Sequence, residues 1–268
     1  MKTKAIISAL LLSFGIGIML FSCTKEEVSS TDLNAVSQDE TKIDNYFDDA
    51  SSETDMYDNG TKSAELKSNC TPTVSITHPT QGSFFPKHIV IDYGTDGCEG
   101  YFGHVRKGKI IVVQTNFMIV PGALRTITYE NFYLDDFKIE GTRTVTSNGL
   151  NAEQNYQRTT VLSNGKITTP DGKIISRSAE HIQTWISGSQ TPINIFDDKW
   201  QITGSAAGTN RNGKSYTSVI TSPLIFDLSC THKITQGVKT ITTDNHVIVI
   251  DFGNGDCDSQ IDITIDGV

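Results

Sequence analysis

An all-β domain, an antiparallel meander of long strands forming a sandwich or a curled open barrel, is what this sequence predicts, and three observations predict it. From Cys70 to Val268 no stretch keeps helical apolar spacing over three turns, while β-branched runs separated by Gly, Asn, Asp and Pro recur throughout. Tight-turn dipeptides punctuate the same region: Asn148-Gly149, Asn164-Gly165, Asp171-Gly172 and Asn212-Gly213. One element also occurs twice, Ile91-Asp92-Tyr93-Gly94-Thr95-Asp96-Gly97-Cys98 returning 159 residues later as Ile250-Asp251-Phe252-Gly253-Asn254-Gly255-Asp256-Cys257. Each copy follows an apolar run, and a Cys-Thr pair lies 28 residues before the first cysteine (Cys70) and 27 before the second (Cys230). The repeat frames the domain at both ends.

The chain begins with an address. Lys2 and Lys4 precede an uncharged, largely apolar run from Ala5 to Phe21, which at 1.5 Å per residue reaches roughly 25 Å, short of a ~30 Å hydrocarbon core. A secretory signal fits better than a permanent span. Where cleavage would fall, Leu20-Phe21-Ser22-Cys23 resembles the lipobox of bacterial lipoproteins, with Phe21 bulkier than usual, as in the looser lipoboxes of the Bacteroidota. The resemblance implies cleavage after residue 22, diacylation of the Cys23 thiol and acylation of the new amino group, as with palmitate, and hence a membrane partner reached through lipid; ordinary secretion with an incidental cysteine is the alternative. Two or three acyl chains anchor durably at about 0.8 kcal/mol per buried methylene. Thr24-Lys25-Glu26-Glu27 looks like the export signal that carries some of these lipoproteins to the cell surface, against an outer-membrane location facing the periplasm.

Residues 24–69 hold 12 Asp/Glu against 4 Lys/Arg, most of the acidity of a chain whose formal charge is -9. Apolar residues are few there, so little burial offsets an ordering entropy of roughly 1–2 kcal/mol per residue. The expectation for residues 23–69 is an acylated cysteine followed by a disordered acidic linker, a coil some 35–40 Å in span by the scaling for flexible chains. The remainder, residues 70–268, is nearly balanced in charge and lacks the basic face that nucleic acid requires.

Within the domain, Thr73–Thr77 reads as a first strand and His88–Tyr93 as a buried one. Arg106-Lys107-Gly108-Lys109 reads as a turn into Ile110–Thr115, whose Ile-Ile-Val-Val run suits a strand covered on both faces. Leu124–Phe132 and Lys138–Thr146 form a hairpin around Leu134-Asp135-Asp136. The Asn-Gly and Asp-Gly pairs then separate Tyr156–Leu162, Ile167–Thr169, Ile174–Ile186, Trp200–Gly208 and Ser215–Thr221, before Leu224–Leu228, the second frame and a last strand near Ile261–Ile265. In Ile174–Ser187 the apolar Ile174, Ile182 and Ile186 are interspersed with Ser176, Ser178, Glu180 and Thr184, so one face is expected to be wet. About a dozen strands result.

The domain resembles uncharacterised lipoproteins of the Bacteroidota that share I-D-F-G-x-x-x-C, K-G-K-I, E-G-T-x-T-V-T-N and G-x-C-D elements. These stand here as Ile91–Cys98, Lys107–Ile110, Glu140–Asn148 with Ser147 interposed, and Gly255–Asp258. The resemblance implies an envelope location and an all-β fold; it brings no activity.

Once Cys23 is acylated, Cys70, Cys98, Cys230 and Cys257 allow three full connectivities. The matched separations favour Cys70–Cys98 with Cys230–Cys257; Cys98–Cys257 is the rival if the motif strands lie side by side, and buried thiols are the bland alternative. Asp251, Asn254, Asp256 and Asp258 resemble a weak calcium loop without its downstream Glu, the first copy keeping Asp92, Asp96 and Glu99. His78, His88, His104, His181, His232 and His246 show no zinc spacing. Asp135-Asp136 with Glu140, or Asp197-Asp198, are candidate acid/base pairs in turn contexts. Tyr129, Phe132, Tyr133, Phe137, Trp185 and Trp200 are core residues or line a hydrophobic face for a glycan, lipid or protein. The reading that results is a non-enzymatic surface lipoprotein acting in binding, adhesion or envelope structure, without cofactor. The alternatives are a carrier of lipid or lipoprotein with an apolar groove and, third, a carbohydrate-active hydrolase.

Overall fold

The computed structural model describes residues 30–58, 71–100, 103–191, 194–230, 234–258 and 260–268. The expected leader, the expected acylation site Cys23, Cys70, His232 and residues 24–29 and 59–69 of the acidic arm lie outside the described residues. The domain is an antiparallel meander of thirteen strands in one open, unclosed sheet, a single layer rather than two packed ones. In chain order the strands are β1 (Thr73–Thr77), β2 (Lys87–Asp92), β3 (Cys98–Glu99), β4 (Val105–Gln114), β5 (Leu124–Leu134), β6 (Phe137–Leu150) and β7 (Tyr156–Thr168). They continue as β8 (Ile174–Ser187), β9 (Lys199–Thr209), β10 (Ser215–Asp227), β11 (Ile234–Thr243), β12 (His246–Asn254) and β13 (Asp262–Ile265). Sheet order follows chain order throughout, with short β3 pairing on β4 beside the main path.

The hairpin at Asp135-Asp136 and the turns at Asp171-Gly172 and Asn212-Gly213 fall where the sequence puts them, Asp135 and Asp136 taking φ of 50° and 65°. Asn148-Gly149 and Asn164-Gly165 do not turn the chain. They lie inside β6 and β7 at register shifts, so Tyr156–Leu162 and Ile167-Thr168 belong to one strand, which ends before Thr169. The positive φ of Asn164, 52°, serves a bulge as readily as a hairpin. The expected turn at residues 106–109 is likewise a bulge within β4, where Gly108 stands at φ 83° and a Cβ would come within 1.9 Å of the Asn131 carbonyl oxygen. Ile110 and Val112 face the core whereas Ile111 and Val113 stay half-buried, so β4 is not covered on both faces.

These bulges bend the sheet into a trough, because each increases local twist. The largest departure from the expected disorder lies in that trough: Ser30–Asp58 is a 29-residue helix, α1, not coil. Leu33, Val36, Glu40, Ile43, Phe47, Ala50 and Thr54 repeat at alternating three- and four-residue steps and are all buried. Asp32 sits favourably in the first turn. The helix contacts β4 and β8 as well as β11 and β12, strands from both wings of the sheet. Ile43, Phe47 and Ala50 pack against Ile91, Ile110, Ile127 and Phe132 of the first wing. Leu33, Val36 and Met56 pack with Ile202, Tyr216, Leu224 and Ile250 of the second. The sheet wraps the helix.

The repeated element occupies β2 and β12, each one strand in from an edge of the sheet. Both copies close the same turn, the Asp92 and Asp251 carboxylates each accepting a hydrogen bond at 2.9 Å from the backbone N–H two residues on. Cys230 and Cys257 form a disulfide with Cα atoms 5.5 Å apart, which excludes the Cys98–Cys257 pairing. Cys98 is disulfide-bonded too. Because the Cys230–Cys257 bridge spans 27 residues, replacing both cysteines with serine is expected to lower stability by about 3–4 kcal/mol in the chain-entropy account. Urea denaturation of the oxidised protein and the double variant measures it.

Candidate functional site

The trough under α1 is the place where unlike chemistry converges. Nine of the 29 helix residues are Asp or Glu and one is Lys, and the strands beneath answer them with cations. Arg177 (β8) and Lys239 (β11) both reach Glu40 and Asp44: Lys239 Nζ lies 3.2 Å from Glu40 and 2.6 Å from Asp44, and Arg177 bonds Glu40 directly and stands 3.2 Å from Asp44. Glu40 is 0 % exposed and both cations are buried. One helical turn on, Arg143 (β6) donates to Asp48 at 2.8 Å. Arg106 (β4) stands 2.6 Å from Asp49 and 3.2 Å from Glu53. Arg125 (β5) and Arg158 (β7) meet at Asp55, and Arg211 at the β9–β10 turn forks onto Asp39. The pairs run the length of the helix.

Each strand contributes by alternation. In β8 the inward series is Ile175, Arg177, His181 and Gln183, while Ile174, Ile182 and Ile186 are exposed on the same face as Ser178 and Glu180, the wet face expected of this strand. The opposite, inward face is largely polar because the core there is ionic. Arginine and lysine stems add apolar contact on the way to their heads, and charge pairing tolerates burial that an isolated ion would not.

Electrostatics follow from this geometry. Burial alone would raise the Glu40 carboxyl, but Lys239 and Arg177 override it and hold the group below its ordinary value; Asp44 is held down in the same way. Lys239 is raised, its two carboxylates outweighing burial. Depressed carboxylates contribute stability that is present above their unfolded values near pH 4 and lost only as pH falls through the folded ones. Docking of α1 therefore persists at neutral and mildly acidic pH. His181 is lowered by burial, against the pull of Asp44, and stays neutral at pH 7.

A crevice opens beside the second half of α1, lined by Asp48, Ser52, Asp55, Arg143, Arg158 and Trp200. There the Arg158 guanidinium lies 4.0 Å from the Trp200 ring centre, and Trp200 stacks on Trp185 at 5.3 Å. Trp185 donates its indole N–H to Asp198 at 3.0 Å. Burial pushes the Asp198 carboxyl up to about 7 against that hydrogen bond, with Asp197 adding repulsion. A raised carboxyl binds its proton more tightly folded than unfolded, so stability falls as pH rises from about 4 to 7. Asp198→Asn keeps an oxygen for Trp185 and removes the ionisation. It is expected to flatten that slope and to stabilise by about 2 kcal/mol at pH 8, measured by denaturation across pH 4–8.

The other candidate residues are dispersed. Asp251 and Asp258 each accept a backbone N–H two residues on, Asn254 ends β12, and Asp256 is exposed; no three His, Cys, Asp or Glu side chains converge on a metal-sized space among the described residues. Asp135 accepts from His104 at 2.6 Å, Asp136 meets Lys107, Glu140 meets Lys138 and Lys166, and Asp197 accepts from Thr191. His78 bonds the Phe84 carbonyl and His246 bonds Asp266. Phe132 is fully buried, Tyr129 stacks on it, and Phe137 packs edge-on to Tyr46 of α1. The sequence reading missed Arg106, Arg125, Arg143, Arg177 and Lys239 as a set. The signal available was the stepwise spacing of Leu33, Val36, Ile43, Phe47 and Ala50 in the arm, with single cations at alternating positions of the strands. No family model matches the chain, nor does any curated protein or solved structure.

Proposed function

We propose that the protein is a lipid-anchored, non-enzymatic binding or structural module of the cell envelope, and that its working surface is the concave face of the sheet. The observation that carries this reading is the match between that face, with its apolar floor and seven cations, and the acidic helix lying on it. A surface built to hold one acidic helix is a recognition surface. The lipobox-like Leu20–Cys23 supports the anchor. The carrier reading draws on the same apolar floor.

Labelled palmitate is expected to enter the wild-type chain and not Cys23→Ser, and native mass spectrometry of detergent-extracted protein is expected to return the acylated chain without a further small molecule. Absence of label overturns the anchor. A stoichiometric co-purifying lipid replaces the module reading with the carrier one.

A further inference from the structure

We propose that the trough accepts α1 from a second copy of this chain, so that neighbouring molecules are joined by exchanging their acidic helices. This rests on the module reading above and names its partner. The cations of the trough specify the occupant. They meet carboxylates from Asp39 to Asp55, a run of 17 helical residues that spans about 24 Å. A lipid with one anionic headgroup would neutralise one end of that line and leave the other cations buried without counter-charge, which is costly. An occupant with carboxylates at successive helical turns satisfies all of them. The sequence that does so is α1 itself.

Three further features permit α1 to come from elsewhere. The helix makes no strand pairing with the sheet, so its departure leaves every ladder of the meander intact. The 14 residues 59–72 join it to β1, a contour of up to about 46–50 Å, longer than the roughly 43 Å helix. And α1 is rich in Ser, Thr, Asp and Asn, residues that form isolated helices poorly. Outside a trough it loses its reason to be helical, and any vacant trough of the same sequence is its matched site. Chains anchored in one membrane plane sit at high local concentration, which favours such exchange over dissociation.

Zero-length carbodiimide coupling on intact cell envelopes tests it, because Lys239 Nζ lies 2.6 Å from the Asp44 carboxylate. Exchange is expected to produce a covalent dimer whose linkage maps to Lys239 of one chain and Glu40 or Asp44 of the other. The dimer is expected to vanish in Lys239→Arg, which keeps the charge but does not couple. The same linkage found only within chains that run as monomers overturns the proposal. So does a dimer linked through other residues, or Lys239 coupled to a different protein. Failure of the module reading shows separately, as missing palmitate or a bound lipid.

Discussion

Arg177→Met is expected to lower the unfolding free energy by about 3–5 kcal/mol, the usual cost of leaving one member of a buried ionic cluster uncompensated. The cluster holds two cations and two carboxylates, so removing Arg177 leaves Lys239 alone to balance Glu40 and Asp44. Glu40→Met produces the opposite imbalance and a similar loss. The double variant, Arg177→Met with Glu40→Met, leaves Lys239 and Asp44 as one pair at 2.6 Å. It is expected to be more stable than either single variant, a coupling of about 2 kcal/mol or more. Urea denaturation of the four proteins measures the cycle; additive losses would mean that Glu40 and Arg177 do not interact across the trough.

Phe47→Ala is expected to cost about 3–5 kcal/mol, the range for truncating a buried aromatic residue in a packed core. Phe47 is 1 % exposed, lies in the core cluster with Ile110 and Phe132, and meets Tyr129 edge-on at 5.7 Å. The readout that separates docking from disorder is hydrogen exchange. In the wild type, amides of residues 33–56 are expected to be protected; in the variant they are expected to exchange faster by orders of magnitude, while strands at the centre of the sheet change less. A freely exchanging arm in the wild type would return residues 30–58 to the coil that their composition suggests.

The composition of the arm, many carboxylates and few apolar residues, conceals a helix that both variants probe. Leu33, Val36, Ile43, Phe47 and Ala50 are in fact spaced for one helical face, interrupted by Glu40 and Thr54. A carboxylate at the centre of a buried stripe breaks an apolar pattern without breaking the burial. Buried polar residues likewise hid the inner face of β8, where Arg177, His181 and Gln183 point inward while three isoleucines share the wet face.

By itself the sequence determined the antiparallel meander and the turns at Asp135-Asp136, Asp171-Gly172 and Asn212-Gly213, and favoured the Cys230–Cys257 pairing, since each depends on contacts between near neighbours along the chain: alternation within a strand, Asp-Gly at a reversal, two cysteines 27 residues apart. Only the tertiary structure decided where the acidic arm goes. Glu40 meets Arg177 across 137 residues and Lys239 across 199, partners that no local pattern links, brought together because bulges curl the sheet until strands from its two wings face the same helix. A buried charge becomes legible when its counter-charge is in place, and here the counter-charge is set by the fold.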